Sequence, residues 1–163
     1  MIEIVEADLT REEHRRDVLA LTAAYGADPM GTGAPLPPEV LGRLIEGLRA
    51  MPTALILLAY EEDEAGRRAL GIATCFVGFS TFHARRLVNI HDLAVRDGSR
   101  GKGVGRALLA AVEERARALD CCKVTLEVHE NNPRARQLYE QVGFRPYGSD
   151  TLLGGAAFYA KLL

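Results

Sequence analysis

The segment Arg100-Gly101-Lys102-Gly103-Val104-Gly105-Arg106 packs three glycines and three cations into seven residues, between a strand-like run and a run with helical spacing. Glycine lets a backbone take positive φ and approach a ligand without a side chain in the way. The first N–H groups of the following helix point outward, and the helix dipole favours an anion there. This is the chemistry of a phosphate cradle, with a pyrophosphate as the natural guest and Arg100, Lys102 and Arg106 adding positive charge. Two familiar phosphate loops do not fit. The Walker pattern requires Gly-x-x-x-x-Gly-Lys-Ser/Thr, and no such string occurs. The dinucleotide fingerprint requires glycine three places after Gly105, where Leu108 stands. A glycine-rich turn that merely caps a helix remains the plain alternative.

The elements that must hold this loop follow from periodicity. Ile2 to Val5 predicts a short strand, and Arg11 to Tyr25 a helix with Val18, Leu21, Thr22 and Tyr25 on one face, Thr10 as its N-cap and His14 at the surface. Gly26 to Pro38, rich in proline and glycine, is a loop; Pro37 and Pro38 open a second helix with the stripe Leu41, Leu44, Ile45, Leu48. Strands are expected over Ala54–Tyr60, Leu70–Val77 and Leu87–Val95, with the acidic Glu61–Gly66 as a solvated turn. Gly103–Leu119 has helical spacing, Val124–Val128 reads as a strand, and Arg134–Val142 as a short helix opened by Asn132-Pro133 and closed by Gly143. Phe144–Tyr147 and Ala156–Leu163 are expected to be two final strands. The order βααβββαβαββ indicates a mixed α/β sheet.

Composition bounds the function. A chain of 163 residues fits one domain, 1–163, and 48% hydrophobic with 26% charged residues supports an ordinary core. A formal net charge of -2 argues against a general nucleic-acid binder. No apolar run approaches the roughly 20 residues that span a membrane, and the N-terminus lacks the regions of a signal peptide. Cys75, Cys121 and Cys122 have no metal-ligand spacing and read as structural thiols of a reducing cytoplasm.

Two motifs together resemble a known family. Arg100-Gly101-Lys102-Gly103-Val104-Gly105 looks like the Arg/Gln-x-x-Gly-x-Gly/Ala loop of the GNAT superfamily of N-acetyltransferases, with Asp92-Leu93-Ala94-Val95 before it like that family's central strand. Asn132-Pro133-Arg134-Ala135-Arg136-Gln137-Leu138-Tyr139, followed by Gly143-Phe144, resembles its Asn-x-x-Ala-x-x-x-Tyr and Gly-Phe motif. The match covers roughly residues 90 to 146. The resemblance implies a GNAT fold: a mixed sheet of about six to seven strands splayed around acetyl-coenzyme A and flanked by about four helices. It implies that the backbone of Leu93 and Val95 pairs with the pantetheine arm, that amides from Arg100 through Arg106 hold the pyrophosphate, and that Asn132 and Arg136 help fix the cofactor. Asn132 equally suits a helix N-cap ahead of Pro133. No metal is implied.

The implied reaction is aminolysis of a thioester. An alkyl amine with pKa near 10.4 is neutral at pH 7 in only about one molecule in 10³, a handicap of roughly 4–5 kcal/mol. A group or water chain must therefore remove a proton. Resemblance gives the oxyanion a backbone N–H near Val95, and places Tyr139 where the family has the tyrosine that serves the leaving sulfur. Tyrosine near pKa 10 giving a proton to a thiolate near 8.5 runs uphill by roughly 2 kcal/mol. Tyr139 is therefore a hydrogen-bond donor whose proton moves late, unless it is simply a core residue beside Leu138. Many members carry a glutamate base at the position of Asn89, which cannot take a proton. An imidazole titrates near neutrality, so His91 is the first choice for base, directly or through water. By resemblance, its position corresponds to a catalytic histidine in arylalkylamine acetyltransferases and to a glutamate in polyamine acetyltransferases. Asp92 is the second choice, as base or as binder of the acceptor ammonium. Strict alternation places Asn89, His91, Leu93 and Val95 on one face and Ile90, Asp92 and Ala94 on the other; a bulge would change that parity.

Phe79-Ser80-Thr81-Phe82 ahead of Leu87–Asp92 resembles the polyamine and thialysine acetyltransferase branch, which implies a small amine or amino-acid-like acceptor. Dimers are frequent among such relatives, so a homodimer is the implied assembly. The competing reading is a non-catalytic acyl-coenzyme A sensor that kept the cofactor loop.

Overall fold

Leu55 to Tyr60 form an unbroken apolar run in which every residue is 5% exposed or less. A strand this uniformly apolar must be covered on both faces. The structure, a computed structural model describing residues 1–64, 66–146 and 159–162, shows why. Two units are present, Met1–His129 and Glu130–Leu163.

The first unit runs β1 (Ile2–Glu6), α1 (Glu12–Ala27), α2 (Pro38–Ala50), β2 (Ala54–Asp63), β3 (Gly66–Ser80), β4 (Arg85–Val95), α3 (Val104–Ala118) and β5 (Val124–Leu126). Its sheet has the order β1-β2-β3-β4-β5, antiparallel except for the parallel β4–β5 pair. On one face, Val18 and Leu21 of α1 and Ile45 and Leu48 of α2 close over Ile56, Leu58, Tyr60 and Ile72. Each aliphatic side chain buried there contributes about 1.5–3 kcal/mol. The Tyr60 hydroxyl is kept satisfied by donating to Asp17 of α1 at 2.8 Å. On the opposite face lies α3, buried through Val104, Leu108, Leu109, Val112 and Ala116. Gly71 sets how closely α3 approaches: a Cβ there would stand 2.7 Å from the Ala94 carbonyl oxygen and 3.2 Å from Val104 and Leu108. The second unit contains α4 (Pro133–Gln141).

Several expectations change. α1 continues to Ala27, and its N-cap is Arg11 in extended conformation without a side-chain cap. Thr10 instead donates its hydroxyl and its N–H to the Asp8 carboxylate, an Asx turn before the helix. His14, expected at the surface, is 1% exposed and accepts the Asp8 N–H through Nδ1 at 2.9 Å. Its spacing explains this, because positions 14, 18 and 21 fall on the buried stripe of α1. Among the described residues the sheet has five strands, fewer than the six to seven expected. Residues 144–146 and 159–162 are irregular, and the rest of the two expected final strands lies outside the described residues. Pro146 has no N–H to give a ladder, and Arg145 donates to the carbonyls of Glu140 and Phe144.

Candidate active site

The β4–β5 ladder consists of Val88–Val124, Asn89–Thr125 and Ile90–Leu126, and stops there. Beyond it, Asp92 to Val95 of β4 pair only with β3 among the described residues. Arg96 N–H donates to the Leu70 carbonyl on the β3 side, so alternation turns the backbones of Leu93 and Val95 toward the open side. The sheet therefore parts at the C-terminal end of β4, leaving the Leu93 backbone and the Val95 N–H for an extended ligand, while the Val95 carbonyl accepts Arg100 Nε.

The parting coincides with a bulge. Thr74 faces Asp92 and Cys75 faces Ile90, which leaves His91 as the extra residue of β4. Parity is reset at this point. Leu93 and Val95 share a face with Ile90, opposite Ala73, Gly71 and Cys75, while Asp92 and Ala94 join Asn89 on the face of α1 and α2. Strict alternation had separated Asp92 from Asn89; the bulge unites them. The His91 ring stands edge-on to Phe76, with centroids 5.6 Å apart, and Phe76 packs on the α1/α2 face. His91 and Asp92 thus serve one side of the sheet. Asn89 donates from Nδ2 to Thr125 Oγ1 at 3.1 Å, a structural bond across β4 and β5.

Asp92 is half-buried, and its carboxylate has no hydrogen-bond or ion-pair partner among the described residues. Burial pushes its pKa up, opposed by the nearby His91. Its neighbours register the charge. Burial first, and then the negative charges of Asp92 and Asp28, raise Tyr25 on α1. Burial and Asp92 push the Cys75 thiol up to about 12, so Cys75 is an inert core thiol. Helical spacing identifies Tyr25 as part of the buried stripe, but its nearness to Asp92 follows only from the packing of α1 on β4.

The glycine-rich loop has the geometry its composition called for. Gly98, Gly101 and Gly103 take φ of 77°, 80° and 86°, and Gly103 is the left-handed N-cap of α3. The first i to i-4 bond of α3 runs from Ala107 N–H to the Gly103 carbonyl, so the N–H groups of Val104, Gly105 and Arg106 precede it. They face outward from the helix start, where the dipole adds positive potential. Lys102 is exposed and makes no ion pair among the described residues. Arg100 behaves differently: its guanidinium reaches Asp28 at the end of α1, Asp97 at 3.1 Å and the Val95 carbonyl at 3.1 Å. Nothing in the local sequence singled out Asp28, because its partner lies 72 residues away.

Leu21, Tyr25 and Asp28 of the α1 side and Ala94, Val95, Arg96 and Arg100 of the β4 side line a cleft of about 210 Å³. In the second unit, Asn132 Oδ1 accepts the Ala135 N–H at 3.1 Å, which makes it the N-cap of α4. Arg136 is exposed on α4. Tyr139 is buried, and its ring lies 5.9 Å from that of Phe144. Among the described residues no three His, Cys, Asp or Glu gather as a metal site, and no helix is long and apolar enough to cross a membrane.

Comparison with known proteins places this architecture. Residues 12–144 match the Acetyltransferase (GNAT) family, and the chain belongs to it. The D-amino-acid N-acetyltransferase HPA3 of Saccharomyces cerevisiae is 32% identical over 114 residues, 68% of each chain. The uncharacterized N-acetyltransferase YhfO of Bacillus subtilis is 33% identical over 91 residues, 56% of this chain and 58% of its own length. YycN of the same organism is 38% identical over 63 residues, so the match spans about half the length of these two relatives (40% of YycN). An aminoglycoside acetyltransferase from an uncultured soil metagenomic sample superposes with a TM-score of 0.76 over 99% of this chain and 97% of its own, at 17% identity. At that identity the likeness concerns the fold alone. GNAT acetyltransferases use acetyl-coenzyme A as co-substrate.

Proposed function

We propose that this chain transfers the acetyl group of acetyl-coenzyme A to the primary amine of a small or amino-acid-like acceptor. One observation carries the reading: a half-buried carboxylate, Asp92, without a hydrogen-bond or ion-pair partner among the described residues, stands at the open edge of β4 on the same side as His91. A buried carboxylate without a partner is unfavourable unless a cation arrives to compensate it. An acceptor ammonium is such a cation, and the likeness to a D-amino-acid N-acetyltransferase supports an acceptor of that size.

The residues present fit the co-substrate. The open backbone of Leu93 and the Val95 N–H suit the amides of a pantetheine arm, the Val95 carbonyl being taken by Arg100 Nε. The left-handed glycines, the start of α3 and Lys102 suit a pyrophosphate, and Asn132 and Arg136 are kept as further contacts. Acetyl-coenzyme A supplies the activated acetyl thioester. Asp92 holds the acceptor amine, and exposed His91, directly or through water, takes the proton that the amine must lose. The Val95 N–H polarises the acetyl carbonyl, and Tyr139 donates to the departing sulfur.

A panel of amino acids, polyamines and peptides, offered with acetyl-coenzyme A, tests the acceptor class. Turnover confined to peptides would overturn it. Two variants test the roles. His91→Ala should flatten the ascending limb of the kcat/KM–pH profile, with a loss of about 10²-fold at the plateau; an unchanged profile removes His91 from proton transfer. Tyr139→Phe should lower kcat about tenfold or more while the Kd for coenzyme A stays within about threefold. Equal kcat in the two proteins would take Tyr139 out of the chemistry.

A further inference from the structure

We infer that Asp28 and Arg100 form a latch that fastens the loop after α1 to the phosphate loop, so that Arg100 positions the acceptor side of the site instead of gripping the pyrophosphate. The inference rests on the cofactor reading above only for its second readout.

Each of the three guanidinium nitrogens of Arg100 already has a protein partner. Nη2 pairs with Asp28, Nη1 with Asp97 at 3.1 Å, and Nε donates to the Val95 carbonyl at 3.1 Å. A guanidinium recognises a phosphate through a two-pronged fork, and here the prongs point at protein carboxylates. Asp28 is the more buried partner, with 11% of its side chain exposed against 39% for Arg100. Arg100 and the Met30 N–H hold its carboxyl below the usual carboxylate range. The ion pair is therefore present at neutral pH and weakens only as pH falls below the ordinary carboxylate value.

What Asp28 anchors is a closed knot of backbone. Its side chain accepts the Met30 N–H at 2.8 Å, and its carbonyl accepts those of Gly31 at 2.8 Å and Gly33 at 3.1 Å. Thr32 closes the other side, giving both its N–H and its hydroxyl to the Gly26 carbonyl at 3.1 and 2.8 Å. Gly31 is required within it, because a Cβ there would lie 2.1 Å from the Tyr25 carbonyl oxygen. This knot carries Tyr25 and Asp28 on one wall of the cleft, and the latch ties it to Val95, Arg96 and Arg100 on the other. Through Arg100 Nε the same side chain holds the last carbonyl of β4, the strand that presents Asp92. Charge on the pyrophosphate is left to Lys102, Arg106 and the backbone amides.

Amide hydrogen exchange of residues 26–33 and calorimetric titration with coenzyme A, on wild type, Asp28→Asn, Arg100→Gln and the double variant, test this. The latch predicts exchange faster by about tenfold in both single variants and no faster in the double variant. It also predicts a coenzyme A Kd within about threefold of wild type in all of them. Arg100→Lys, which keeps the charge but cannot bridge three acceptors, should behave as Arg100→Gln; this variant serves if the glutamine variant fails to fold. Unchanged exchange in residues 26–33 on losing Arg100 would overturn the latch. So would a coenzyme A Kd raised tenfold or more by Arg100→Gln while Asp28→Asn leaves it alone. If wild type binds no coenzyme A, the cofactor reading fails, and the exchange arm still decides the latch by itself.

Discussion

Replacing Gly103 with valine is expected to weaken coenzyme A binding by about 30-fold, the equivalent of about 2 kcal/mol. Gly103 takes φ 86° and ψ -2° as the N-cap of α3, and a left-handed residue with a Cβ costs roughly 1–2 kcal/mol, more when it is β-branched. The penalty is one of backbone conformation alone, since a Cβ at Gly103 would meet nothing within 4 Å. Valine must therefore rotate the loop out of the left-handed region, and the N–H groups that start α3 rotate with it. The control is Gly66→Val at the β2–β3 turn, where φ is 112° and the space around a Cβ is equally open. It should lose comparable stability with an unaltered Kd. Calorimetry on both proteins separates the effects; equal affinity of Gly103→Val and wild type would show that the loop does not hold the ligand.

The second large effect concerns Asp92, where activity and stability should move in opposite directions. Asp92→Asn is expected to lower kcat/KM about 10²-fold, roughly 2.7 kcal/mol of lost transition-state stabilisation, because the amide cannot compensate an ammonium. The same change should raise Tm at neutral pH by about 3 °C, corresponding to about 1 kcal/mol. Burial raises the Asp92 pKa in the folded protein. A carboxyl with a raised folded pKa penalises the fold when ionised, and the penalty vanishes as pH falls toward the unfolded value. The Tm gain of the variant should thus be full at neutral pH and close on acidification toward the ordinary carboxylate range. Thermal melts between neutral and acidic pH check the sign. A variant that melts lower than wild type at neutral pH would mean that Asp92 has a stabilising partner in the fold.

Local chemistry was legible in the sequence, and non-local placement was not. The glycine loop announced itself because the left-handed conformation leaves a residue-type signature at Gly101 and Gly103, and α3 did so through its apolar spacing. The bulge at His91 leaves no such mark. Leu87-Val88-Asn89-Ile90-His91-Asp92-Leu93 contains no glycine or proline, and the extra residue is forced by pairing with Thr74 and Cys75 of β3. Parity on β4, and with it the side on which Asp92 works, depended on that distant strand. His14 shows a different conflict. Expected at the surface, it lies on the buried stripe of α1, where the Asp8 N–H gives Nδ1 a partner and Nε2 stays buried without one among the described residues. Asp28 and Arg100 belong to segments whose local patterns are independent, so their pairing emerges only when α1 and the β4–α3 loop are packed together.

The central claim is acetyl transfer to a small primary amine, and release of free coenzyme A tests it most directly. With saturating acetyl-coenzyme A, at least one amino acid or small amine should drive amine-dependent thiol release above the hydrolysis background. Mass spectrometry should find that amine heavier by one acetyl group. Saturable binding of acetyl-coenzyme A with no amine-dependent release across the whole panel would contradict the account and identify the chain as a sensor of acyl-coenzyme A.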